Sequence, residues 1–206
     1  MSATSRGIHR SPDDFYSTPA WCTERLLRRL PEPRTVLEPC AGTGAIVDVV
    51  RATWPNAIVG AIELDPFRAL ESNAFCSDYL AVAPGPYDLI ITNPPYDRAQ
   101  EFVERALTHA GTVAMLLRLG FLASQKRRAF WIDHPADMYV LPERPSFLTA
   151  CACRDGHRWW LPAGSPTPKR CIEPECSRRV KVTRTDSADY AWFVWGAGRG
   201  LRWAHL

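Results

Sequence analysis

Residues 37–46 read "LEPCAGTGAI". The three residues that lead into this stretch, Thr35, Val36 and Leu37, are β-branched or apolar and read as a short strand; residues 45–52 follow with helical periodicity. Between them sit Gly42 and Gly44. Glycine tolerates the left-handed backbone that a tight strand-to-helix turn needs, and it carries no side chain to hold a nucleotide-like ligand away from the backbone amides. A lone GxG is often only a tight turn, so its meaning depends on what the chain builds around it.

Upstream, Ser17 or Thr18 can cap a helix with Pro19 in its first turn, and Leu26, Leu27 and Leu30 give that helix an apolar stripe. Downstream, strand and helix patterns alternate: a strand at 57–62, a helix at 66–73, a brief strand near Phe75 and a strand at 89–92. A helix at 97–109 then presents Phe102, Val103, Ala106 and Leu107 on one face, before a strand at 112–117 and a helix at 124–133. This alternation predicts an α/β fold with a mainly parallel sheet and helices on both faces, whose ligands sit at the carboxyl ends of the strands. Residues 138–141 and 190–194 read as two further strands with no clear helix between them, which predicts antiparallel pairing at the end of the sheet. The intervening stretch, rich in Pro, Arg and Cys, is long for a connection within one domain and reads as a functional or flexible insert.

The 206 residues, 46% of them hydrophobic, suffice for one well-buried core. No apolar run approaches the ~20 residues that cross a bilayer. The polar start "MSATSRGIHR" lacks a signal-peptide core, so the chain is read as cytoplasmic, with no membrane partner. The net charge of +3 hides an asymmetry: residues 151–185 carry +5, leaving −2 for the rest. A basic segment of that kind reads either as a surface that meets an anionic partner or as a solvated loop. Four of the seven cysteines lie in or beside it. In a reducing compartment clustered cysteines point to metal or to burial before disulfides.

The candidate site residues follow the strand ends. The second strand runs into "AIELDP", placing Glu63 or Asp65 where a carboxylate can accept ribose hydroxyls. Asp78, after the brief third strand, can do the same for an adenine amino group. The fourth strand exits through "TNPPYD", residues 92–97. A double proline stiffens the backbone and ends the strand, presenting Asn93 and Tyr96 at the rim of the sheet.

These residues together resemble the class I S-adenosylmethionine-dependent methyltransferases, in particular the DNA adenine-N6 group, whose catalytic motif (D/N/S)PP(Y/F/W) matches Asn93-Pro94-Pro95-Tyr96. The resemblance implies a Rossmann-like sheet, mainly parallel with an antiparallel last strand. It implies that Glu38, Pro39, Ala41, Gly42 and Gly44 lie along the methionine part of S-adenosylmethionine, that Glu63 holds its ribose and that Asp78 holds its adenine, with Asn93 also bordering the cofactor. The stretch "DDFYSTPAW" resembles the element that closes over the methionine end, making Phe15, Tyr16 and Thr18 cofactor-site candidates. The likeness covers roughly residues 13–147 and resumes at "DYAWFVW", so the methyltransferase core is assigned to 1–147 and 186–206 and a basic Cys-rich insert to 148–185. The stretch "LLRLGFLASQKRRAFW…VLPERPSF" further resembles small phage and prophage proteins of this kind, implying methylation of phage or host DNA.

The chemistry of the motif suits an exocyclic amine. That nitrogen is a poor nucleophile because its lone pair is delocalised into the ring. Hydrogens accepted by the Asn93 side-chain oxygen and the Pro94 carbonyl pull it toward a tetrahedral form, and Pro95 brings no amide hydrogen to compete for those acceptors. Tyr96 can stack on a base that has left its duplex. No strong base is needed.

Other residues carry two readings each. Phe147 is a second stacking face or, the better reading, a core phenylalanine. Lys126, Arg127 and Arg128 hold phosphates or form a solvated helix face. Cys40 is a small packing residue. In the insert, Cys151, Cys153, Cys171 and Cys176 can supply four thiolates to a tetrahedral zinc, with His157 able to replace one; a loop with incidental thiols is the other reading. Methylation of RNA or of a protein glutamine amide poses the same lone-pair problem, and a degenerate nucleic-acid-binding core is a third option. The absence of a long N-terminal helical domain disfavours the glutamine reading.

Overall fold

A computed structural model describes residues 17–145, 147–152, 158–160, 169–172, 175–176, 178–179, 181–184, 188–196 and 203–205. The strands within them are β1 (Thr35–Glu38), β2 (Ile58–Glu63), β3 (Phe75–Cys76), β4 (Tyr87–Thr92), β5 (Ala110–Arg118), β6 (Asp137–Val140), β7 (Leu148–Ala152), β8 (Arg158–Trp160), β9 (Lys181–Arg184), β10 (Tyr190–Gly196) and β11 (Trp203–His205). The helices are α1 (Ala20–Leu27), α2 (Ala45–Thr53), α3 (Pro66–Ser72), α4 (Ala99–Leu107) and α5 (Arg128–Asp133). Eight strands form one sheet in the order β11-β6-β10-β5-β4-β1-β2-β3. Its pairings are parallel except that β10 runs antiparallel to both β5 and β6. Strand order therefore reverses between β1 and β4, and in such sheets the crevice outside the carboxyl ends at the reversal is where ligands bind.

The central strands read as continuous apolar runs because both of their faces are covered. Successive side chains of a strand point to opposite faces, so Leu89 and Ile91, Ala114 and Leu116, and Trp192 and Val194 pack on one side with Leu26 and Leu27 of α1 and Val49 and Val50 of α2. Ile90, Val113, Met115, Leu117, Phe193 and Trp195 pack on the other with Phe102, Val103 and Ala106 of α4 and Phe130 of α5. Trimming a side chain buried as fully as Leu116 to alanine typically costs about 2–5 kcal/mol. The two tryptophans also tie elements down through their only donors: Trp192 Nε1 donates to the Cys22 carbonyl at 2.9 Å and Trp195 Nε1 to the His134 carbonyl at 3.0 Å. At the amino edge, Asp88 Oδ2 accepts from the amides of Arg34 and Thr35, at 2.8 and 2.9 Å. These bonds fasten β1 to β4 and hold the Asp88 carboxyl below its ordinary range.

Several sequence expectations change in detail. Neither Ser17 nor Thr18 caps α1; Pro19 occupies the N-cap with no side-chain cap bond. The helix expected at 124–133 divides into a 3-10 turn, Gln125–Arg127, and the short α5. β5 runs on to Arg118, one residue past its expected end, because Tyr190 of β10 pairs opposite that residue. β11 has no counterpart in the sequence reading. Nor have β7, β8 and β9, which form a separate three-stranded sheet, β8-β7-β9, inside the stretch read as an insert.

Candidate active site

The glycine turn forms at the carboxyl end of β1. Gly42 and Gly44 have φ of 54° and 92°, the left-handed region in which any other residue is strained, and Gly44 is the N-cap of α2. Glu63, at the end of β2, reaches back to the turn. Its Oε2 accepts from the Gly42 amide at 2.7 Å, while Oε1 accepts from the Asp65 amide at 2.9 Å and from Arg68 Nε at 3.4 Å. A carboxylate has about four acceptor sites, so this one already spends most of them on holding the turn. Of the two acids expected to compete for the ribose role, Asp65 is accounted for differently: it is the N-cap of α3 and accepts from the amides of Phe67 and Arg68, both at 2.9 Å. Those bonds lower its carboxyl. Asp78 lies close by because the Ser77 amide donates to the Glu63 carbonyl. It is half-buried; Oδ1 accepts from the Leu80 amide at 2.9 Å and Oδ2 has no hydrogen bond from the described residues.

Under the turn lies an unmet demand. Glu38 is 1% exposed; Oε1 accepts from the Cys40 amide at 3.1 Å, and the buried Oε2 has no hydrogen-bond partner among the described residues. Burial pushes its carboxyl up to about 8, eased only in part by the neighbouring Thr92 hydroxyl and the Cys40 amide. Thr92 Oγ1, at the end of β4, is itself buried without a well-formed hydrogen bond. Among the described residues, a buried carboxylate oxygen and a hydroxyl are left open together, a pair that suits a donor-rich or cationic group. Pro39, Ala41, Gly42 and Gly44 are buried around them. Cys40 behaves as a packing residue, its thiol raised well above the ordinary range by burial and then by the Glu38 carboxylate.

The Asn93 carboxamide stands at the next strand end and is held from both sides. Its Nδ2 donates to Thr18 Oγ1 at 3.1 Å, and its Oδ1 accepts from the Tyr96 hydroxyl at 2.8 Å. Burial, and then the nearby Tyr190, raise the Tyr96 phenol well above its ordinary value, so it stays a donor. Thr18 thus joins the segment before α1 to the Asn-Pro-Pro-Tyr exit; Phe15 and Tyr16 lie outside the described residues. The Pro94 carbonyl takes no hydrogen bond from the described residues, whereas Pro95 accepts from the Arg98 amide. One face of the Tyr96 ring carries the Arg118 guanidinium, 4.8 Å from the ring centroid. A base can stack there only on the other face or after Arg118 moves.

Three residues were not foreseen as part of this region. Thr92 carried no signal beyond preceding Asn93. Leu64, between Glu63 and Asp65 just past β2, is 67% exposed, and its signal in the sequence was an apolar residue set between two acids in "ELD". Arg118 enters through the extra length of β5. Phe147 is 1% exposed and meets Tyr190 edge-on at 5.2 Å, a core residue. Of the proposed zinc ligands, Cys171 and Cys176 lie in a loop closed by the Arg170–Arg179 bridge and by the Cys171 amide donating to the Arg178 carbonyl; Cys151 lies in β7. Cys153 and His157 fall outside the described residues. Among the described residues no three His, Cys, Asp or Glu side chains gather as a metal site, and no helix is long and apolar enough to cross a membrane.

No family model matches the sequence, and no curated protein matches it either. Solved structures do match the fold. A chain described as "a modification subunit of a putative type I restriction enzyme from Vibrio vulnificus YJ016" superposes with a TM-score of 0.59 at 13% identity, over 94% of this chain and 48% of that one. The methyltransferase subunit of a type I restriction-modification system from Streptococcus thermophilus gives 0.56 at 14% identity, over 92% and 47%. A predicted O-methyltransferase from Agrobacterium tumefaciens, Atu636, gives 0.56 at 13%, over 90% and 85%. The chain spans about half the length of the two restriction-modification subunits. What it shares with all three is the Rossmann-like class I methyltransferase fold: a mostly parallel sheet with one antiparallel strand, and helices on both faces.

Proposed function

We propose that the protein is an S-adenosylmethionine-dependent N-methyltransferase whose acceptor is the exocyclic N6 amine of adenine in DNA. The observation that carries this reading is the Asn93 carboxamide, fixed by Thr18 and Tyr96 beside an unengaged Pro94 carbonyl, at the strand end next to the glycine turn. The residues fit the cofactor. Glu38 Oε2 and Thr92 Oγ1 would offer acceptors to its methionine ammonium, the left-handed glycines would leave its path clear, Glu63 would lie by the ribose, and Asp78 Oδ2 and Leu64 would lie by the adenine. When bound, S-adenosylmethionine supplies an electrophilic methyl group whose leaving group is a neutral thioether.

The chain's own contribution is positioning. Asn93 Oδ1 retains a second lone pair beyond the one that receives the Tyr96 hydroxyl, and with the Pro94 carbonyl it accepts the two amine hydrogens, localising the nitrogen lone pair toward the methyl. The amine would lose its excess proton to solvent, so the chain need supply no strong base. Thr18 holds the carboxamide so that its oxygen, and not its nitrogen, faces the acceptor.

The insert is proposed to grip DNA around a structural zinc held by Cys151, Cys153, Cys171 and Cys176. The strand register supports this: Ala152 pairs with Lys181, so the end of β7 lies two residues from the closed loop that carries Cys171 and Cys176. The protein is expected in the cytoplasm. Incubation with methyl-labelled S-adenosylmethionine and separation of DNA, RNA and protein tests the acceptor. Label in DNA is expected, whereas label confined to RNA or to glutamine in protein would reassign it.

A further inference from the structure

Beyond Tyr96, at the carboxyl ends of β4 and β5, a cleft of about 220 Å3 is lined by Tyr96, Asp97, Leu117, Arg118, Phe121 and Arg127 among others. Its two guanidinium groups come from separate elements, and each lies against a ring. Arg118 covers Tyr96 and its Nε donates to the Tyr190 hydroxyl at 3.2 Å. Arg127 lies 4.3 Å from the Phe121 centroid and donates through one terminal nitrogen to the Phe121 carbonyl at 3.1 Å. Stacking fixes the Arg127 guanidinium in plane and leaves N–H groups beyond the one bonded to Phe121, an arrangement suited to an oxyanion. Arg127 is half-buried and forms no ion pair with the described residues. Its neighbours Lys126 and Arg128 are exposed. Asp97 is the acid of the lining and is exposed at the mouth, where solvent screens it.

We infer that this cleft seats a phosphate of the nucleic-acid strand that carries the acceptor base, with Arg127 as its ligand. The inference rests on the proposed function, since Asn93 and Tyr96 mark where that base would stand, and it narrows the acceptor class: a protein glutamine brings no phosphate to this position. DNA and RNA share the phosphate. Of the three basic residues at 126–128, the geometry selects Arg127 alone, the one turned into the cleft.

The test follows the binding of fluorescein-labelled single-stranded DNA and RNA oligonucleotides by anisotropy as a function of NaCl, with S-adenosylmethionine affinity measured separately by calorimetry. Each phosphate contact on a single strand contributes roughly 0.7 to the log–log salt slope. Arg127→Ala is expected to lower the slope by about that amount, Arg127→Lys to preserve most of it, and Lys126→Ala to leave it unchanged, all with unaltered cofactor affinity. Tighter binding of DNA than of RNA at the same NaCl concentration would assign the phosphate to a DNA strand, and the reverse to RNA. An unchanged slope in Arg127→Ala, an equal loss in Lys126→Ala, or no binding of either oligonucleotide overturns the inference. Failure to bind S-adenosylmethionine would instead overturn the function on which it rests.

Discussion

If Glu38 pairs with the cofactor as proposed, its buried carboxyl gives that binding a proton signature. In the ligand-free protein its pKa stands at about 8, against 4.5 for an ordinary glutamate, chiefly because burial disfavours the charged form. The folded chain therefore keeps a proton that the unfolded chain loses near pH 4.5, and this contribution to stability is full below that pH and is lost as pH rises through about 8. Pairing with the methionine ammonium of the cofactor reverses the preference, because an adjacent positive charge favours the carboxylate. At pH 7 a group with pKa of about 8 is roughly nine-tenths protonated, so binding releases about 0.9 proton. The cofactor's own α-amino group, with a pKa near 7.8, takes up about 0.1 on becoming fully charged. The net release is about 0.8 proton at pH 7, and affinity should climb about 20-fold between pH 6 and pH 8, a gain of about 50-fold from the carboxyl being partly offset as the amine loses its own proton near pH 7.8. Calorimetric titrations in buffers of different ionisation enthalpy read the release directly. Glu38→Gln should abolish it, leaving the small uptake by the amine. Cofactor binding with no net proton release and a flat affinity from pH 6 to pH 8 would refute the pairing.

Asn93→Ala should lower the rate of methyl transfer by about a hundredfold or more with cofactor affinity nearly unchanged, and loss of cofactor binding in a calorimetric titration would contradict that division. Tyr96→Phe removes one hydrogen bond from the Asn93 oxygen and should cost about tenfold or less in kcat. Glu63→Gln leaves buried backbone donors facing an amide nitrogen; it should destabilise the fold by about 1–3 kcal/mol, seen as a lower Tm, and also weaken cofactor binding. An unchanged Tm would show that the turn does not depend on this carboxylate. Elemental analysis should find about one zinc per chain, lost in the double variant Cys171→Ser and Cys176→Ser, and metal-free protein with full activity would remove zinc from the account. Replacing Arg178, Arg179 and Lys181 by alanine should flatten the salt dependence of DNA binding without altering cofactor affinity.

The sheet was legible where side-chain periodicity is unambiguous. Leu89-Ile90-Ile91 and Val113 to Leu117 are apolar on both faces, as covered parallel strands must be, and the run around Trp192 lacks the intervening helix that a parallel crossover needs. The placement of the glycine turn, of Asn93 and of Glu63 at strand ends was legible because the turn and strand-exit signals are local. Contacts between distant segments were not: Thr18 looked like a helix cap, yet it binds Asn93, 75 residues away. Asp65 shows the opposite error. An aspartate directly before a proline at the start of a helix is a capping signal, and capping is what it does. Arg118 lay beyond reach because only the pairing of β10 decides how far β5 extends. β7 to β9 left little trace, since their order comes from a hydrogen-bond ladder and not from an alternating apolar pattern.

The central claim concerns the acceptor atom. Genomic DNA incubated with S-adenosylmethionine and either the protein or its Asn93→Ala variant, then digested to nucleosides and resolved by mass spectrometry, reads that atom directly. The account predicts N6-methyl-2′-deoxyadenosine with the unaltered protein and a near-complete loss of it with the variant. Methyl groups found only on another base position, on RNA or on protein, or undiminished by Asn93→Ala, would contradict it.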